Sequence, residues 1–216
     1  MRIIAFSDIH GAHGVVQEIL KHEQDFDVVV VAGDFTTNGT AAEVETAVGE
    51  IRSHRQPVVA VAGNMDPPIL ESSLSRLGVA IDSCAIAVGD AAFFGVSASP
   101  FTPFHTPYEL SEEEIMRRAE EGWRQVLGAM WKIFVPHAPP RDTNLDRTFV
   151  GRHVGSISVR RFIEARQPDV AICGHIHEAR GVDTIGRTQI VNCGPAARGN
   201  YAVITLGPGI TVHTRG

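Results

Sequence analysis

The 216 residues carry a formal net charge of −6, with 44% apolar and 20% charged side chains. That is an ordinary globular balance, and it argues against a general nucleic-acid binder, which presents a basic face. An anionic substrate stays open, because bound metal ions would set the local sign.

Short apolar, β-branched runs at 3–6, 28–32, 58–62, 133–135 and 170–173 predict strands buried on both faces. Helices are expected at 15–22 and 41–52, with a third beginning at Ser111. There Ser111 and Glu114 form a capping-box pair, and Ile115, Ala119, Trp123 and Val126 recur on one face. A hairpin is expected from 84–88 and 91–96 around Gly89-Asp90. The proline-rich stretch 97–108 reads as a long loop able to overhang a site. After Gly181, segments 188–192, 201–206 and 210–213 read as an antiparallel meander. The whole is an α/β chain, expected to form one domain over 1–216.

Cys84, Cys173 and Cys193 include no C-x-x-C pair, so neither a disulfide framework nor a thiolate zinc site is expected. Arg2-Ile3-Ile4-Ala5-Phe6 lacks the pattern of a signal peptide, so none is expected, and no apolar run reaches membrane-spanning length. A cytoplasmic protein with no membrane partner is the expectation; nothing in the sequence sets an oligomeric state.

Polar residues with metal-ligand chemistry follow five of the apolar runs. They are Asp8-Ile9-His10, Gly33-Asp34, Gly63-Asn64-Met65-Asp66, His137, and Gly174-His175-Ile176-His177. In open α/β sheets the C-terminal strand edge is where ligands bind. Carboxylate, imidazole and amide oxygen suit Mn²⁺, Fe²⁺ or Zn²⁺. Seven such residues are too many for one ordinary site and suit two ions sharing a carboxylate.

In this order and spacing the motifs resemble those of the calcineurin-like metallophosphoesterase superfamily. The resemblance implies two stacked mixed β-sheets flanked by helices. It implies one divalent ion on Asp8, His10, Asp34 and His177, and a second on Asp34, Asn64, His137 and His175. Asp34 would be the bridge, and Mn²⁺ is the preferred metal. A hydroxide held between the ions would attack phosphorus in line with the leaving oxygen of a small phosphate ester.

Two departures narrow this. Many relatives carry His after the motif Asn, where it protonates the leaving group; this chain has Met65. The stretch from Gly33 to Gly39 also lacks the second Asp and the Arg of protein Ser/Thr phosphatases. The chain looks more like small prokaryotic phosphodiesterases, so a phosphodiester is the preferred substrate. His13, just past Asp8-x-His10, and His105, in the proline-rich loop, are the candidates to replace the missing acid. Asp66 is expected not to touch metal but to hydrogen-bond the turn after Asn64 or a residue that supports a ligand. Arg141, Arg152 and His153 are read as a polar loop, Trp123 and Trp131 as packing residues, and His22, His54 and His213 receive no function. The rivals are a scaffold on the same fold, disfavoured by the complete ligand set, and a nuclease, disfavoured by the acidic balance.

Overall fold

The structure is a computed structural model that describes residues 1–54 and 56–216. In chain order its elements are β1 (Arg2–Phe6), α1 (His13–His22), β2 (Val28–Ala32), α2 (Ala41–Arg52), β3 (Val58–Val61), α3 (Leu70–Arg76), β4 (Ala85–Val88), β5 (Ala91–Val96), β6 (Ser99–Pro100), β7 (Glu109–Leu110), α4 (Glu112–Gln125), β8 (Trp131–Pro136), α5 (Ile157–Arg166), β9 (Val170–Cys173), β10 (Gly181–Ile185), β11 (Thr188–Asn192), β12 (Tyr201–Leu206) and β13 (Ile210–Arg215).

The strands form two mixed sheets, ordered β13-β12-β1-β2-β3 and β10-β11-β9-β8-β5-β4. In the first, β1, β2 and β3 run parallel and β12 joins β1 antiparallel. In the second, β5, β8, β9 and β11 run parallel, with β4 and β10 antiparallel at the edges.

The apolar runs are solid because each strand has two cores to serve. On β1, Ile3 and Ala5 point between the sheets, while Ile4 and Phe6 point at the helices. On β8, Ile133 and Val135 meet them from the facing sheet, and Phe134 turns outward. One helical layer packs Val16, Leu20, Val44, Val48 and Leu74 on the first sheet. The other packs Ile115, Ala119, Val159 and Phe162 on the second. The expected sandwich of two stacked mixed sheets flanked by helices is therefore present.

Two local expectations change. Segments 188–192, 201–206 and 210–213 do not form one meander. The strand β11 pairs with β9 and β10 in the second sheet, and β12 with β13 form a hairpin in the first. The chain crosses between sheets at 193–200, where Cys193 N–H donates to Cys173 and Ala196 N–H to Ser7. The Ser111 cap is half of a capping box: its hydroxyl accepts from Glu114 N–H, but the Glu114 carboxylate pairs with Arg117 and Arg118 instead. The complete box belongs to α2, where Thr40 and Glu43 cap each other reciprocally.

Trp123, on α4, stands edge-on to Phe94 and Phe162, and Trp131 packs against the inter-sheet core. No helix among the described residues is long and apolar enough to cross a membrane.

Candidate metal centre

The parallel strands β1, β2, β3, β8 and β9 end at the same edge of the sandwich, and their loops carry the seven expected ligands. The loops after β1 and β2 zip together: Asp8 N–H donates to Gly33, Ile9 and His10 N–H to Asp34, and Gly11 N–H to Phe35. Asp8, His10, Asp34 and His175 all hold positive φ, at 54°, 47°, 55° and 67°. Non-glycine residues rarely adopt this region, and strain of this kind gathers where side chains must be aimed. Two glycines make the aim possible. A Cβ on Gly63 would collide with the Asp34 carboxylate, and one on Gly174 with Ser7 and Asp8.

Two donor groups result. Asp8, His10 and His177 offer ligand atoms within 4.8 Å of one another, and so do Asp8, Asp34 and His137. Asp34 Oδ2 lies between the halves, 3.7 Å from His10 Nε2 and 3.5 Å from His137 Nε2. Its Oδ1 is held back by the Met65 N–H at 2.7 Å. Asn64 Oδ1 lies 2.9 Å from His137 Nε2 and 2.8 Å from His175 Nδ1.

The His137 contact tests whether these residues fit a cation. Its Nδ1 donates to the Ala32 carbonyl at 2.7 Å, so in the neutral ring Nε2 carries a lone pair. Burial lowers the basicity of this imidazole and keeps the ring neutral. Two buried acceptors, Nε2 and the Asn64 oxygen, thus point at each other with no proton between them. A divalent cation satisfies that arrangement, and the N/O donors without thiolate suit Mn²⁺, Fe²⁺ or Zn²⁺.

Charge is graded across the centre. Burial would raise the Asp8 carboxyl, but the hydrogen bond from His177 and the nearby imidazoles hold it well below the usual range. Burial raises Asp34 strongly, and the charges of Asp8 and Asp66 add to it. His175 is pushed down to about 3 by desolvation, whereas the hydrogen bond to Asp8 raises His177.

Both expected roles of Asp66 are present. Its fully buried carboxylate accepts from Gly63 N–H in its own turn. It also accepts from Phe35 N–H, Thr36 N–H and the Thr36 hydroxyl across the site. It therefore clamps the loop carrying Asp34 to the loop carrying Asn64.

The profile of the calcineurin-like phosphoesterase family matches residues 1–179. This chain belongs to the calcineurin-like phosphoesterase family. It is 35% identical over 201 residues to the uncharacterised protein MJ1162 of Methanocaldococcus jannaschii, covering 90% of this chain and 88% of that one. It is 26% identical over 212 residues to the 3',5'-cyclic adenosine monophosphate phosphodiesterase CpdA of Escherichia coli K12, covering 90% and 72%. Among solved structures, the protein TT1561 of Thermus thermophilus superposes with a TM-score of 0.79 at 17% identity, covering 99% of this chain and 97% of that one. A dimetal phosphatase of Danio rerio superposes at 0.70 with 13% identity, covering 100% and 96%. Both structural likenesses speak to the fold.

In this phosphoesterase five of the seven metal-type residues, His10, Asp34, Asn64, His175 and His177, floor an open cleft of about 1260 Å³, with Asp8 and His137 buried. One lip is the proline-rich loop, as expected, with Phe101 and Phe104 exposed. The other is the 141–155 segment, which brings Arg141, Val150, Arg152 and His153 into the lining. His105 lines the cleft. The structure does not bring His13 there: it faces a crevice with Ile9, Gln17, Ala47 and Glu50, on the α2 side. His22 and His54 bond to Glu18 and Gln17 on α1, and His213 lies on edge strand β13.

Sequence reasoning missed one buried pairing at this cleft, Asp146 with His153 at 2.7 Å. Six residues of irregular chain separate them, and no helix or strand in the sequence brings the pair together.

Proposed function

We propose that the protein is a dinuclear metal-dependent phosphodiesterase acting on small phosphate diesters. One ion would be held by Asp8, His10, Asp34 and His177, the other by Asp34, Asn64, His137 and His175. Asp34 is shared, and Mn²⁺ is the preferred metal. Bound there, a pair of divalent ions supplies Lewis-acid charge and an acidified water at neutral pH.

The observation that carries this reading is the convergence of unprotonated acceptors from His137 and Asn64 beside Asp34 Oδ2. The chain's own residues do the rest. The Met65 N–H and the Asp66 clamp orient Asp34 and Asn64. Arg141 and Arg152 on the cleft wall suit non-bridging phosphate oxygens. His105 lines the opposite lip, which supports a contact with the substrate from that side.

Diesters are preferred because Met65 replaces the His of many relatives and the phosphatase Asp and Arg are missing. The cyclic-nucleotide phosphodiesterase named above is a diesterase relative. A cytoplasmic setting accords with three free cysteines.

The test is hydrolysis of an aryl phosphodiester and an aryl phosphomonoester by protein stripped with chelator and resupplied with Mn²⁺. Metal-dependent turnover, faster on the diester, is the expected result. Full metal occupancy with no turnover of either ester would sink the reading.

A further inference from the structure

Asp146 is fully buried, yet it lies beneath the wall of the cleft. Its Oδ1 accepts from Thr143 N–H at 3.0 Å, and its Oδ2 from Asp142 and Gly155 N–H at 3.1 and 3.0 Å. An acid that accepts this many donors is an acceptor-only carboxylate. The fourth partner, His153 Nδ1 at 2.7 Å, is therefore the donor. This fixes the imidazole with Nδ1–H on Asp146 and leaves Nε2 without a hydrogen-bond partner among the described residues. The ring is partly exposed and lines the same cleft as Asp34, Asn64 and His175.

The pair is tied to the metal-type loop. The buried amide of Asn192 donates to Leu145 O at 3.1 Å and to Ile176 O at 2.9 Å. One side chain thus joins the residue before Asp146 to the residue between His175 and His177. Phe149 N–H also reaches Glu178 at 3.2 Å. The short hairpin closed by Arg147 and His153 is thereby held against the loop that bears two ligands.

From this we infer that His153 is the proton donor to the leaving oxygen, oriented by Asp146. Resting on the phosphodiesterase reading, it fills the role that Met65 has vacated. His105 has no such orienter: its ring finds no hydrogen-bond partner among the described residues, on an exposed loop. A positioned imidazole held by a carboxylate is the recurring form of a general acid.

The step balances as a hydrolysis. Water supplies the oxygen of the new P–O bond and gives up a proton. The P–O bond to the leaving alcohol breaks with its electron pair on that oxygen. The acid is His153 as imidazolium, with a proton on each nitrogen: its Nε2 proton passes to that oxygen, and the neutral imidazole left behind keeps Nδ1–H on Asp146 and takes up the proton given by the water.

The experiment uses Mn²⁺-loaded protein and two diesters, one with a nitrophenol leaving group and one with an aliphatic alcohol. The aliphatic alkoxide needs its proton; nitrophenolate scarcely does. His153→Gln should lose about 10²–10⁴-fold in kcat/KM on the aliphatic ester and much less on the nitrophenyl ester. The ratio of the two rates should move at least about tenfold.

Asp146 is a positioning residue. In Asp146→Asn the imidazole loses the carboxylate that fixes its Nδ1–H, so the rate loss should again be larger on the aliphatic than on the nitrophenyl ester. A merely structural role would lower both rates alike. The charged and titratable groups around His153 are Asp146 below, Arg147 across the hairpin, Arg141, Arg152 and Glu112 on its wall, and Glu178 from the facing loop. If Asp146→Asn does not fold, the His153→Gln comparison stands alone.

Equal losses on both esters, no loss on either, or wild-type protein that turns over only the nitrophenyl ester would each overturn the assignment while leaving the phosphodiesterase reading intact. Wild-type protein inactive on both would overturn the two together.

Discussion

Nε2 of His137 lies 2.9 Å from Oδ1 of Asn64 although neither atom has a proton to give. Removing either residue should therefore empty one half of the centre. We expect Asn64→Ala and His137→Ala each to weaken one ion at least about 10–100-fold, so that metal content falls from two per chain toward one. His10→Ala should weaken the other ion, and Asp34→Asn both. Elemental analysis after dialysis at fixed Mn²⁺ reads each outcome, and an Asn64→Ala protein that still holds two ions contradicts the assignment.

The clamp made by Asp66 gives a prediction about stability. Asp66→Ala leaves buried N–H groups of Phe35, Thr36 and Gly63 without their acceptor. The expected cost is about 3 kcal/mol, with weaker metal binding because the loops of Asp34 and Asn64 are no longer joined. Denaturant unfolding of the metal-free protein measures the first part. An unchanged midpoint would show that the clamp is dispensable.

Gly174→Ala places a methyl group where Ser7 and Asp8 already stand. Strain of about 1–3 kcal/mol is expected, together with displacement of Asp8 and loss of metal-dependent turnover. Gly14→Ala, in open space on α1, is the control and should leave thermal unfolding close to the parent.

Protons should leave as metal enters. In the metal-free protein burial holds Asp34 well above the ordinary carboxylate value, and the hydrogen bond to Asp8 raises His177. Groups raised in this way keep their protons until a cation displaces them. His175, pushed down to about 3 by desolvation, has none to lose near neutrality. Metal affinity should therefore fall as pH drops, by roughly tenfold per pH unit for each proton released. Calorimetry in buffers of different ionisation enthalpy reads the number released. Release of no protons at neutral pH would contradict the graded charges described above.

The expected ligands are legible in the sequence because each follows a short apolar run that reads as a doubly buried strand. Two cores force Ile3 to Phe6 and Val170 to Cys173 to be apolar at every position, and the next residues face the open sheet edge. Pairing between strands is less legible. The run of Thr188 to Asn192 looks like that of Tyr201 to Leu206, yet the two lie in different sheets. The crossover between them is set by tertiary hydrogen bonds rather than by local preference. The α5 helix is hidden in the sequence because Ser156, its N-cap, follows a loop whose fold depends on Asp146. For the same reason His153 reads as a solvated loop residue: its partner is a buried carboxylate brought near by backbone turns.

The central claim is that two ions, both bound by these seven residues, make the protein a phosphodiesterase. The most direct measurement is a titration of chelator-stripped protein with Mn²⁺, following bound metal and aryl phosphodiester turnover in the same samples. Two ions per chain are predicted, with turnover appearing as the second binds. Two ions bound without turnover, or undiminished turnover by the stripped protein, would contradict the account.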